Sequence, residues 1–137
     1  IINKKYDGIT SFENFEHFEH PLKEIERIFS LTDFVLFSTD LISVPAPKTE
    51  KWWYYCLEHG QHVSLFSNKS LQYIANKYHY NLISNGTNIH IFSKRKINPI
   101  IFKIEKVIRK LGLGNLFVKN SLINSDMKKM ISKMKDL

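Results

Sequence analysis

The 137 residues are enough for one domain with a buried core, and a content of 43% hydrophobic and 13% aromatic residues excludes a disordered chain. A single cysteine, Cys56, excludes a disulfide framework and a cysteine-based zinc site, so a reducing, cytoplasmic compartment is expected. The net charge of +7 is unevenly placed: residues 94–137 carry 12 Lys/Arg against 3 Asp/Glu, residues 1–93 carry 8 against 10, and the basicity belongs to the tail.

In chain order, residues 6–12 (YDGITSF) read as a short strand leading into SFENFEHF, Ser11 to Phe18. Pro21 suits the first turn of a helix that places Leu22, Ile25, Ile28 and Phe29 on one stripe. Residues 33–42 (DFVLFSTDLI) have a continuous apolar centre, the pattern of a strand buried on both faces. Pro45 and Pro47 break regular structure, and the aromatic, histidine-rich KWWYYCLEHGQHVSLFS that follows has neither helical nor strand period. Ser67 or Asn68 caps the next helix, whose stripe is Leu71, Ile74, Ala75 and Tyr78. NLIS and NIHIFSK flank Asn85-Gly86 and read as an antiparallel hairpin. Asn98-Pro99 opens a helix carrying Ile100, Ile104, Ile108 and Leu111, and residues 124–126 cap a last one with Met127, Met130, Ile131 and Met134 on one face.

This order predicts an α/β fold: a mostly parallel sheet with one antiparallel hairpin strand, over residues 1–95, then a basic amphipathic helical tail over 96–137. The first strand would lack a neighbour on one side, and the chain opens on Ile1-Ile2 without a methionine, so a fragment of a longer protein is expected. No apolar run approaches the ~20 residues that span a bilayer, and IINKKYDG has no apolar signal core.

In SFENFEHF, helical spacing would put Glu13, Glu16 and His17 on one side of one turn. Such a trio could hold a metal or act as an acid/base pair. Equally, Phe12, Phe15 and Phe18 could pack while the polar groups cap or face solvent. His59 and His62 sit in an aromatic loop with Trp52, Trp53, Tyr54 and Tyr55, and aromatic loops over the carboxyl ends of α/β strands are where such sheets bind ligands. His20, His79 and His90 are assigned to structure, His90 because it alternates with two isoleucines.

YDGITSFENFEHFEHPLKEIERI resembles the fourth strand and following helix of class I S-adenosylmethionine-dependent methyltransferases. DFVLFSTDLI looks like their fifth strand, HGQHVSLFSNKSLQYIANKY like their substrate-side loop and helix, and the hairpin like their terminal antiparallel pair. The chain departs from the family in having no Gly-x-Gly before the fourth-strand match; its only one is Gly112-Leu113-Gly114. The resemblance therefore implies the C-terminal half of a Rossmann-like methyltransferase domain, with weak or no cofactor binding by the chain alone.

Carried onto these positions, the resemblance puts Ser11, Phe12, Glu13 and His17 beside the cofactor and Trp52, Trp53, Tyr54 and His59 beside the acceptor. It makes His62, with Glu13, the catalytic pair, His62 taking the proton of an acceptor hydroxyl. Glu-x-x-Glu-His also resembles a divalent-metal motif of ubiquinone-pathway O-methyltransferases and small-RNA 3′-end 2′-O-methyltransferases, which implies Glu13, Glu16, His17 and His62 as ligands. Two carboxylates and two imidazoles suit Mn²⁺, Fe²⁺ or Zn²⁺ better than Mg²⁺. The activity implied is methyl transfer to a hydroxyl of a small molecule or glycan precursor. The alternative is a non-catalytic methyltransferase-like interaction module working through its basic tail. That tail could pack on a second subunit or lie on an anionic membrane; it lacks the interleaved aromatics that nucleic-acid stacking needs.

Overall fold

The computed structural model describes residues 5–111, 127, 131 and 132. The chain forms two compact units, Ile1–Pro99 and Ile100–Leu137.

The first unit is built on four strands, β1 (Ile9–Ser11), β2 (Phe34–Ser38), β3 (Asn81–Ser84) and β4 (Ile89–Ser93), in the order β1-β2-β4-β3. β1 and β2 are parallel, with Ile9 opposite Val35 and Ser11 opposite Phe37. β4 runs antiparallel to both β2 and β3, so one reversed strand sits inside an otherwise parallel set, as the hairpin predicts. Its loop is longer than a two-residue turn. The Asn85 side-chain oxygen accepts from the backbone N–H of Thr87, Asn88 and Ile89, and Gly86 supplies the left-handed backbone at φ +85°.

Two helices close one face of the sheet. α1 (Pro21–Leu31) starts at Pro21 and buries Ile25 and Phe29 one turn apart. Leu22, expected on the buried stripe, is 40% exposed and lies in the first turn of the helix. α2 (Asn68–Lys77) is capped by Ser67, which accepts from the N–H of Ser70 at 3.1 Å while the Ser70 hydroxyl accepts from Ser67 N–H at 2.8 Å. Ile25, Phe29, Leu71, Ile74 and Ala75 share one core with Val35, Phe37 and Phe92. Phe37 stacks on Phe92 at 4.8 Å and on Phe15 at 4.3 Å, and Phe29 stacks on Tyr80 at 3.9 Å. Phe34 and Leu36, on the opposite face of β2, are only half-buried, so this strand is less enclosed than its apolar run predicts.

The loop between β2 and α2 supplies two single turns of 3-10 helix, Thr49–Lys51 and Trp53–Tyr55, where the sequence showed no period. In the second unit α3 (Ile100–Lys110) follows Asn98-Pro99 as expected. Met127 and Ile131 are helical and exposed; Met130, Met134 and Gly112-Leu113-Gly114 lie outside the described residues. No helix among the described residues is long and apolar enough to cross a membrane.

Candidate functional site

Because β1 and β2 are parallel, their carboxyl ends lie side by side, and each ends in polar residues: Ser11 on one, Ser38-Thr39-Asp40 on the other. Past Ser11 the chain does not enter an α-helix. Glu13 takes a left-handed backbone at φ +48°, and only Phe15–His17 form a single 3-10 turn. This break separates Glu13 from Glu16 and His17 and corrects the expectation of three polar groups on one helical side. Phe15 enters the core and Phe18 packs at its edge, whereas Phe12 is 54% exposed.

Glu13 is tied across the strand ends. Its N–H donates to the Ser38 hydroxyl at 2.8 Å, and that hydroxyl donates to Glu13 Oε1 at 2.5 Å. Ser38, which sequence reasoning missed, is therefore what stabilises the strained residue. Ser11 is buried, its hydroxyl accepting from the Asn14 side-chain amide at 3.2 Å.

Three other residues converge. Ligand atoms of Glu16, His17 and His62 lie within 4.8 Å of one another. Glu16 is wholly buried, and neither carboxylate oxygen has a hydrogen-bond partner. His17 Nδ1 faces the Gln61 carbonyl at 2.9 Å and His62 Nδ1 faces the Tyr54 carbonyl at 2.7 Å. A carbonyl only accepts, so each Nδ1 carries a proton, and the tautomer this selects for the neutral ring keeps its lone pair on Nε2. The strap bearing His62 is pinned to the turn by Ser64, whose N–H donates to the Glu16 carbonyl at 3.0 Å and whose hydroxyl donates to the Phe18 carbonyl at 2.6 Å. Two imidazoles and a buried carboxylate thus meet, with the Tyr54 phenol also interacting with Glu16, an arrangement that suits a divalent cation or a proton. Glu13, expected as a fourth ligand, is held by Ser38 and stands outside this group.

Asp40, also missed, adds another carboxyl group near Glu13 and Glu16. Burial raises its pKa, the negative charges of Glu13 and Glu16 raise it further, and His62 opposes them. Both Ser38 and Asp40 were visible as the polar triplet that ends the apolar run of β2. Tyr54 is 1% exposed; its hydroxyl shares a hydrogen bond with Thr39 at 3.2 Å and its ring lies 4.4 Å from that of His62. Burial holds the Tyr54 phenol far above its usual pKa, and the nearby Glu16 charge adds to this.

The acceptor-side residues divide. Trp52, Trp53 and His59 line an open cavity of about 580 Å³ together with Glu50, Tyr55 and Glu58. Tyr54 and His62 are not among its lining residues. His90 is structural, as assigned: it is fully buried, Nε2–H donates to the Thr39 carbonyl at 3.0 Å, and Nδ1 accepts from Ser84 at 2.8 Å.

A family model described as a methyltransferase domain matches residues 3–85, a span that includes every one of these site residues except His90. No curated protein and no solved structure matches the chain.

Proposed function

The chain belongs to the methyltransferase-domain family, and from that premise we propose that it serves S-adenosylmethionine-dependent methyl transfer to a hydroxyl of a small molecule or glycan precursor. The cofactor, when bound, supplies an electrophilic methyl group on a sulfonium. The acidic strand ends fit such a cation: Glu13, Glu16 and Asp40 are close enough for both glutamates to raise the Asp40 pKa. Ser11, Phe12, Glu13 and His17 are the residues on that side, and Trp52, Trp53 and His59 offer the acceptor an aromatic wall with carboxylates around it.

The observation that carries the reading is the tautomer of His62. Its Nδ1–H donates to the Tyr54 carbonyl, so Nε2 is an oriented lone pair at the carboxyl ends of the strands. It takes the acceptor's proton as the oxygen attacks, which requires the acceptor hydroxyl to reach beyond the Trp52, Trp53 and His59 wall, since His62 does not line that cavity. The protein's other contribution is alignment. Release of S-adenosylhomocysteine in the presence of hydroxyl acceptors, compared with a His62→Gln variant, tests it.

One observation favours a second reading of the same atoms. The buried Glu16 carboxylate beside the His17 and His62 imidazoles is a donor set that suits a divalent transition metal, with each imidazole fixed by a backbone carbonyl. When bound, such an ion would lower the pKa of an acceptor hydroxyl. Glu16, His17 and His62 would hold it, and a chelator distinguishes this reading from the free base.

A further inference from the structure

α3 carries an apolar stripe that is open to solvent. Ile100, Ile104, Val107 and Leu111 are 49%, 51%, 56% and 63% exposed. At roughly 100° per residue these four fall within an arc of about 60°. Lys103 and Lys110, seven residues apart and both exposed, lie together along one edge of that arc. The helix sequence holds Lys103, Lys106, Arg109 and Lys110 against Glu105 alone, and the exposed Arg95 and Lys96 precede it. The pattern recurs in composition farther on, where Met127 and Ile131, one turn apart and exposed, sit in the lysine-rich MKKMISKMK.

Aliphatic side chains in line with cations along their edge are the chemistry of a helix at a charged, partly apolar boundary. Eleven residues are too few to span a bilayer but enough to lie in its surface. Nucleic acid would neutralise the cations yet give nothing to four exposed aliphatics. A second copy of this face would bring two like-charged helices together.

We propose that α3 is an interfacial helix that lays Ile100, Ile104, Val107 and Leu111 on an anionic lipid surface, with Lys103 and Lys110 at the headgroups. This stands apart from the methyl-transfer reading, since it uses none of the same residues.

The test is co-sedimentation of the whole chain with vesicles of phosphatidylcholine alone or with about a third phosphatidylglycerol. The chain should sediment with the anionic vesicles and stay in solution with the neutral ones. Binding should weaken as salt rises from about 0.1 M to about 0.5 M. Ile104→Asp with Val107→Asp should lower the vesicle-bound partition by about tenfold or more, and Lys103→Glu with Lys110→Glu by about tenfold, with circular dichroism unchanged in both. Absence of sedimentation, or equal sedimentation with neutral vesicles, would overturn the proposal. So would a dimer in light scattering that Ile104→Asp dissolves, which would assign the face to a second copy. Oligonucleotide binding lost with the lysines but kept by Ile104→Asp, in a chain that ignores vesicles, would assign it to nucleic acid.

Discussion

His62 donates its Nδ1–H to the Tyr54 carbonyl at 2.7 Å while the Tyr54 hydroxyl is bonded to Thr39, so a backbone atom sets the tautomer and the side chain below it fixes the loop. The two jobs separate in Tyr54→Phe. That variant keeps the carbonyl and loses one buried hydrogen bond, so it should unfold about 1 kcal/mol more easily with turnover close to native. A rise in KM of about tenfold would instead put the phenol on the acceptor.

Ser38 and Glu13 form the second linked pair. Ser38→Ala removes the acceptor for the Glu13 N–H and the donor to its carboxylate. With Glu13 already at φ +48°, a loss of about 1–3 kcal/mol in urea denaturation is expected. No change in midpoint would mean the turn holds without this bridge.

The unpartnered Glu16 gives a test of the metal reading. A buried carboxylate with no hydrogen bond of good geometry is destabilising in the metal-free chain, so Glu16→Gln should raise its melting temperature. Mn²⁺ or Zn²⁺ added after chelation should raise the melting temperature of the native chain and not that of the variant. Equal shifts in both, or none in either, would remove Glu16, His17 and His62 from consideration as a metal centre.

His90 supplies a pH dependence. Burial lowers its pKa below the ordinary 6.5, against the opposing hydrogen bond to the Thr39 carbonyl. The groups facing it are that carbonyl, the Ser84 hydroxyl and the Phe37 ring. The unfolded chain therefore takes up a proton here before the folded one does. The stabilisation is complete above about pH 6.5 and is lost as pH falls toward the depressed folded value. His90→Gln should flatten the fall in urea midpoint between about pH 7 and pH 5, and an unchanged slope would assign the acid sensitivity elsewhere.

Most of the scaffold was legible because its signals are local. Ser67 with Ser70 marks the start of α2, Pro21 that of α1, and Asn85-Gly86 the hairpin, each within a few residues of its effect. The site was legible in membership but not in grouping. Glu13 leaves the helical turn because Ser38, 25 positions away, binds its backbone and side chain, and no spacing rule inside SFENFEHF encodes that. Similarly, His62 acquires its orientation from Tyr54 across a loop without period, and Glu16 is buried because the strap at Ser64 folds over the turn. Asp40 was visible as an acidic end to an apolar strand, but its company with Glu13, Glu16 and His62 depends on which strand lies next to β2.

The central claim is that His62 Nε2 takes the proton of a hydroxyl during methyl transfer. The most direct measurement is the rate of S-adenosylhomocysteine release from S-adenosylmethionine with hydroxyl acceptors, for the native protein and for His62→Gln, each with and without a chelator. Because the chain has no Gly-x-Gly turn before its fourth-strand match, S-adenosylmethionine is supplied in large excess; the account predicts turnover, slow in this chain, that survives chelation and falls by about 10²–10⁴-fold in the variant. Turnover equal in the two proteins would contradict it.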